Sequence, residues 1–242
     1  MESKAVESGM KIIAVFAHPD DEVGCASTLA KHAARGDEVL LVWTTYGENA
    51  SHFVGVTADE VKRVRHGHGE HIAKLIGGSY RFFDFGDTMM TGDRSEALEI
   101  ARLYCEFRPD AIITWDDFNR HPDHRAVAKI AYDAITQARI PKVVQEGGPE
   151  GQFGHLEAHR GGISFYQYAC AESTRTIVHT DISDHAHVGA ESLEFFANFY
   201  GWKTNREDWL QGRANAGRLL GVKYAEKFTV EKRFHPALEF LV

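Results

Sequence analysis

Cysteine and proline are scarce in this chain of 242 residues, acidic residues outnumber basic ones, and no long apolar run occurs. Three cysteines, Cys25, Cys105 and Cys170, stand far apart and odd in number, so neither a disulfide framework nor a paired-thiolate metal site is expected. Lys and Arg total 27 against 35 Asp and Glu, a formal charge of −8. That balance speaks against a general nucleic-acid binder, because neutralising phosphates takes clustered cations. No apolar stretch reaches the ~20 residues a membrane helix needs, and Met1-Glu2-Ser3-Lys4-Ala5 opens no signal-peptide core. A cytoplasmic location with no membrane or nucleic-acid partner is the expectation. The glycine fingerprints of nucleotide sites are missing as well. The first apolar run is followed by His-Pro-Asp-Asp-Glu, where acids would repel a pyrophosphate.

What is present is an ordinary soluble composition, 43% hydrophobic and 26% charged, in a chain long enough to bury a core without staples. Short β-branched runs alternate with helical spacing. Strands are expected at Lys11–Phe16, Glu38–Trp43, Tyr80–Phe83 and Ala111–Thr114. Between them, helices are expected at Glu22–Arg35, Ala58–Ile76 and Ser95–Phe107, with a further one at His124–Ile140. This alternation predicts an α/β, Rossmann-like three-layer sandwich with a mostly parallel sheet of order near 3-2-1-4-5. One domain is expected over 1–242, with the Rossmann-like core in 1–141. The remainder is less regular. Lys142–Gly162 is glycine-rich and suggests a loop with the length of a lid. Strands at Ile163–Cys170 and Thr174–Thr180 and helices at Ala190–Tyr200 and Arg206–Leu220 follow.

Two turns carry the chemistry. Ala17-His18-Pro19-Asp20-Asp21-Glu22 leaves the first strand, and Asn119-Arg120-His121-Pro122-Asp123-His124 follows the fourth. Ligands of open parallel sheets bind beyond the carboxyl ends of the strands where the order reverses. In the order 3-2-1-4-5 that point lies between these two strands, so both turns are expected to meet. His18 with Asp21, and His121 with His124, are three apart and can face one way on a first helical turn. Imidazoles with a carboxylate suit zinc. Spacing alone allows an open site of three ligands and water, or a closed structural site using both His121 and His124. An isolated His-Pro-Asp turn is also a common helix start, with Asp as the N-cap.

The paired motifs resemble the LmbE-like (PIG-L type) zinc-dependent N-acetylglucosamine deacetylases. Thr45-Tyr46-Gly47-Glu48, Arg108-Pro109-Asp110 and Gly221-Val222-Lys223-Tyr224-Ala225-Glu226-Lys227-Phe228 are similar too, and the likeness is weak between about 142 and 182. The resemblance implies one Zn2+ on His18, Asp21 and His124, with Asp20 as general base. It implies that His121 stabilises the oxyanion or protonates the leaving amine, here expected as the protonated imidazole. Asp123 would orient a ligand histidine, and Arg65 would touch the sugar. The chain departs from the pattern at His68, where an acid is expected, and at Asn198-Phe199-Tyr200, where a Ser-Gln pair is. The implied reaction is hydrolysis of an acetamide on an N-acetylglucosamine-type sugar, releasing acetate and the amine. A metal- or nucleotide-binding module without hydrolysis is the alternative, though it would need no free base beside its ligands.

Other features carry less. Trp43, Tyr46 and Trp115 could wall a sugar site but suit a core equally. His66, His68 and His71 suggest a solvated or rim face rather than a second metal site. His155 and His159 would reach the site only under a closing lid, and Asn49-Ala50-Ser51 has no secretory context for glycosylation. The apolar segment Phe234–Val242, like the resembling family, suggests a homo-oligomer.

Overall fold

A computed structural model describes residues 9–147, 151–168, 175–218 and 220–230. Seven strands form one sheet: β1 (Lys11–Phe16), β2 (Glu38–Trp43), β3 (Ser79–Phe82), β4 (Ala111–Thr114), β5 (Ser164–Tyr168), β6 (Thr176–Asp181) and β7 (Ala225–Val230). Their order is β3-β2-β1-β4-β5-β7-β6. The first five run parallel, and β7 is antiparallel to both β5 and β6. The helices are α1 (Ala26–Arg35), α2 (Ala58–Ile76), α3 (Arg94–Phe107), α4 (Pro122–Ala138), α5 (Pro141–Val144), α6 (Ala186–Tyr200) and α7 (Arg206–Arg218).

The alternation of β1 explains the three layers. Ile13 and Val15 pack with α3 and α4 through Ile100, Tyr104, Val127 and Ala131. Ile12, Ala14 and Phe16 pack on the other face with α1, α2 and α6 through Leu29, Ile72 and Phe196. Both faces being covered, every β1 residue after Lys11 is buried, which is why this strand is a continuous apolar run. The expected α/β architecture and the order of the first five strands hold.

Several boundaries differ from the sequence expectation. The first helix does not begin at Glu22: Asp21–Gly24 is a 3₁₀ turn, and α1 starts at Ala26. The helix after β4 begins two residues earlier than expected, with Pro122 at its first turn. Strand β7 goes unrecognised in the sequence because its buried face includes Glu226, an acid in a core position. The glycine-rich loop is not a lid here. Its described residues pack on the α3–α4 side, with Leu156 in that core and Arg102 donating to the carbonyl of Val144. His159 is buried against Pro109, its Nε2 2.9 Å from that carbonyl, before β4 begins. That is the edge of the sheet opposite the two motif turns. Cys25 and Cys105 are buried free thiols, whereas Cys170 and Phe234–Val242 lie outside the described residues. Among the described residues no helix is long and apolar enough to cross a membrane.

Two contacts draw the C-terminal elements toward the first turn. Gly189 of α6 lets its backbone approach α1, its N–H donating to Ser27 Oγ at 3.1 Å. A Cβ there would stand 2.4 Å from the Trp209 ring and 2.6 Å from Ser27 Oγ. Gly189→Ala is therefore expected to cost about 2 kcal/mol through overpacking, measured by denaturant unfolding. Glu226 of β7 accepts the Thr28 N–H at 2.9 Å, and burial pushes its carboxyl up to about 7, against Arg213 and that hydrogen bond. Between its ordinary value and about 7 the folded state keeps a proton that the unfolded chain has lost. Its contribution to stability therefore falls as pH rises through that window, by at most about 3 kcal/mol. Glu226→Gln, which keeps the acceptor, is expected to flatten that part of the stability–pH curve in chemical denaturation.

Candidate metal centre and active site

The pairing of Ala14 with Ile113 sets the ends of β1 and β4 side by side, so the two motif turns leave the sheet together. The first turn closes on its own acid. Asp21 Oδ2 accepts the N–H groups of Ala17 at 3.0 Å and His18 at 2.9 Å, which fixes the carboxylate beneath the strand end. Asp20 takes the strained share, with φ 125°. Such a conformation costs a non-glycine residue about 1–3 kcal/mol and concentrates at functional sites. Its side chain caps no backbone N–H of the following turn, so the helix-cap role is not what this acid does. In the second turn His121 is the N-cap of α4 and His124 lies in the first helical turn. The His124 ring stacks on Trp115, 4.3 Å between centroids and 8° from parallel.

The structure brings His18, Asp21 and His124 to one point. His18 Nδ1 is 3.2 Å from His124 Nε2, His124 Nε2 is 3.2 Å from Asp21 Oδ1, and His18 Nδ1 is 3.8 Å from Asp21 Oδ2. The other side of the His18 ring faces acids: Nε2 is 3.1 Å from Asp87 Oδ1 and 3.3 Å from Asp123 Oδ2. Those acids are themselves held, Asp87 by the Asn49 N–H at 2.9 Å and Asp123 by the Thr88 N–H at 2.7 Å. Ligand atoms of His18, His121 and His124 fall within 4.8 Å of one another, as do those of His18, Asp87 and Asp123. The second group is committed to orienting the His18 ring. The first, with Asp21, opens to the cavity. Two imidazole nitrogens facing each other beside a carboxylate make a donor set able to hold a cation, and its chemistry suits zinc.

The electrostatics agree. Burial disfavours a charged His18, yet hydrogen bonds to Asp123 and Asp87 and the charge on Asp21 push it up to about 10. The surroundings thus call for positive charge at this ring. Burial raises Asp21, but the hydrogen bond to His124 and the charges of His124 and His18 leave it below the usual carboxylate range. Asp20 behaves oppositely. Burial, then the neighbouring charge of Asp21, push it up to about 7 against Arg65, His18 and a hydrogen bond from Tyr200. Burial also pushes Glu22 up to about 8, and this acid accepts the Asp20 N–H and the Trp43 indole, each at 3.0 Å.

His121 was expected as a protonated imidazole. Burial, then the charges of His18 and His124, lower its pKa and so disfavour that form. Its Nδ1 accepts the Asp123 N–H at 3.3 Å, which leaves the proton on Nε2. Arg65, expected at the sugar, lines the cavity but is only 1% exposed, donating to the Tyr46 carbonyl at 2.8 Å and the Tyr200 hydroxyl at 2.6 Å. His68 is not on a solvated face. It is buried among Phe195, Phe196 and Phe199, and burial, then Arg65, hold it down to about 4. A neutral imidazole there accepts from Arg65 at 3.3 Å, where an acid would have carried charge into an aromatic cluster.

Asp87, Tyr200 and Trp202 have no motif of their own, and only the fold brings them in. Tyr200 ends α6 and bridges Arg65 to Asp20. Trp202 stacks on it at 4.9 Å with 42% of its surface exposed. A cavity of about 400 Å³ takes in His18, Asp20, Asn49, His121, Tyr200 and Trp202.

A model of the family described as PIG-L: GlcNAc-PI de-N-acetylase matches residues 13–135. The chain is 30% identical over 164 residues to 1D-myo-inositol 2-acetamido-2-deoxy-alpha-D-glucopyranoside deacetylase of Thermobifida fusca (strain YX), covering 55% of this chain and 57% of that protein. It is 26% identical over 136 residues to diacetylchitobiose deacetylase of Thermococcus kodakarensis (strain ATCC BAA-918 / JCM 12380 / KOD1), covering 54% and 51%. The chain thus spans about half the length of these curated relatives. Among solved structures, N,N'-diacetylchitobiose deacetylase of Pyrococcus horikoshii superposes with a TM-score of 0.74 at 19% identity, over 94% of this chain and 87% of that one. The last comparison is a likeness of fold.

The site generates its own test. Ring-orienting carboxylates typically contribute 10–100-fold to metal affinity. Asp87→Asn is expected to weaken binding of a divalent metal by about that factor, read by competition with a chromogenic chelator.

Proposed function

Because the chain belongs to the PIG-L, GlcNAc-PI de-N-acetylase family, we propose that it is a zinc-dependent N-deacetylase of an N-acetylglucosamine-type sugar or conjugate. The observation that carries this reading is the convergence of His18, Asp21 and His124, with Asp20 and His121 beside them rather than pointing elsewhere. The sugar-deacetylating relatives support the substrate class. A bare binding module would not need a buried carboxyl poised near neutrality.

In this reading His18 through Nδ1, Asp21, and His124 through Nε2 would hold the ion. The chemistry it would supply there is acidification of a water toward pKa ~7 and polarisation of the acetamide carbonyl. Asp20 accepts the proton of the attacking water. Its desolvated carboxyl, matched to neutral pH, is suited both to taking that proton and to passing it on. Tyr200, anchored by Arg65, holds Asp20 in register. His121 donates its Nε2–H to the developing oxyanion as a neutral group, at no cost in charge separation. Asp123 and Asp87 keep the His18 ring turned toward the ion. Trp202 offers an exposed indole face against which a sugar ring packs. The products are acetate and the free amine.

Zinc-loaded protein is expected to release acetate from N-acetylglucosamine or diacetylchitobiose, to lose that activity on chelation and to regain it with zinc. Asp20→Asn should lower kcat by about 10²–10⁴-fold while zinc content stays the same. Unchanged acetate release in that variant would sink the assigned base, and bound zinc with no acetate from any N-acetylated sugar would favour the binding module.

A further inference from the structure

One fully buried acid has no part in the proposed chemistry. Glu22, next in the chain to Asp21, is 0% exposed, and so is Trp43 at the end of β2. Glu22 Oε2 accepts two hydrogen bonds, from the Asp20 N–H and from the Trp43 indole, each at 3.0 Å. Its Oε1 has no partner among the described residues, so one oxygen does both tasks. Keeping a carboxyl in the core is costly, and those two bonds are what offsets the cost.

What they hold is the strained residue. Asp20 has φ 125° and ψ −18°, outside the regions an aspartate adopts freely. The bond from its N–H to Glu22 closes a ring that contains the Asp20 N–Cα axis. Relaxing φ to a negative value would turn the N–H away from that carboxyl and break the bond. A bond to a carboxyl oxygen is of the same order as the strain such a conformation stores. The acceptor is itself fixed. The Trp43 ring stacks on Phe82, 5.0 Å between centroids, and the pairing of Phe16 with Trp43 seats it beside the end of β1. The sheet thus reaches Asp20 through Trp43 and Glu22.

Asp20 needs such a hold. It lines the cavity of about 400 Å³ and a neighbouring one of about 850 Å³, so open space adjoins it on two sides. Its carbonyl accepts the Val23 N–H at 3.2 Å, which leaves the N–H side of the residue to Glu22. Tyr200 bonds the Asp20 carboxyl and does not touch that peptide.

Resting on the reading of Asp20 as general base, we propose that Glu22 is a positioning residue of the reaction. Through Oε2 it holds the Asp20 peptide in its strained conformation, which aims the Asp20 carboxyl at the attacking water. Reach, rather than charge, is the property required.

The test uses the zinc-loaded protein and the variants Glu22→Gln, Glu22→Asp and Asp20→Asn. Glutamine keeps an acceptor at the same reach and is expected to hold kcat within about threefold. Aspartate keeps the acid but is one methylene short. It is expected to lower kcat about 10²-fold, because a misplacement of about 1 Å costs that much. KM for N-acetylglucosamine or diacetylchitobiose, and zinc content, should stay within about twofold. A carboxyl that merely stabilised the fold would act on any background. Adding Glu22→Asp to Asp20→Asn is instead expected to cost nothing further, because the base it positions is gone. If Glu22→Asp folds poorly, Trp43→Phe loosens the same carboxyl without removing it. It should show a smaller loss, about fivefold, again absent in Asp20→Asn. Additive losses, unchanged kcat in Glu22→Asp, or a glutamine variant as slow as the aspartate one would overturn the proposal. Hydrogen exchange of the Asp20 amide, followed by NMR, reads the hold without catalysis. It should be about tenfold faster in Glu22→Asp than in the parent and in Glu22→Gln. That pattern with no acetate from any of these proteins removes the deacetylase reading and leaves the hold on the Asp20 peptide standing. Equal exchange in all of them removes the hold whatever the acetate result.

Discussion

The parallel pairing of β1 with β4 is the constraint on which the rest of the site depends. Neither His-Pro-Asp turn can hold a cation alone. The first brings one imidazole and its acids, the second brings two imidazoles, and about a hundred residues separate them. Adjacent parallel strands let both turns leave the sheet at the same edge, where no further strand residue fills the space. Packing on both faces of the sheet makes that pairing rigid. Ile13 and Val15 lock one side of β1, and Ile12, Ala14 and Phe16 lock the other. A shift of register by one residue would turn every β1 side chain to the wrong layer and carry His18 away from His124.

Around that pairing the polar groups divide into those that hold shape and those left unspent. Asp21 accepts two backbone N–H groups and still presents an oxygen to His124. Asp87 and Asp123 are tied to the loops that carry Asn49 and Thr88, so three separate segments orient one histidine ring. Asp20, in contrast, sits on a strained backbone with its acidity set by burial rather than by pairing. Strain, desolvation and an opposing arginine, acting through its charge and through Tyr200, all concentrate on this residue.

Much of the core was legible because parallel strands covered on both faces are plain apolar runs, and helices between them show a clear period. The errors have specific causes. The turn at Asp21–Gly24 looked helical because Val23 continues the apolar spacing, while the hydrogen bonds of Asp21 to its own turn delay the helix. Strand β7 was hidden by the buried Glu226, whose partner on α1 is 198 residues away. His68 was misjudged because its neighbours on α2 are exposed, and nothing local announces the aromatic face of α6 against it.

By itself the sequence determined the α/β alternation, the two turns and the residue types that a metal and a base require. These are local properties, carried by period, by turn chemistry and by the order of groups along a few residues. Tertiary structure alone decided which nitrogen of His18 faces His124 and Asp21, and that the pKa of His121 is lowered. It also decided that Arg65 supports the wall through Tyr200, and that a second cavity opens beside the first. Each of these depends on groups tens to hundreds of residues apart meeting in a low-dielectric space, where burial and charge set proton positions that no local pattern encodes.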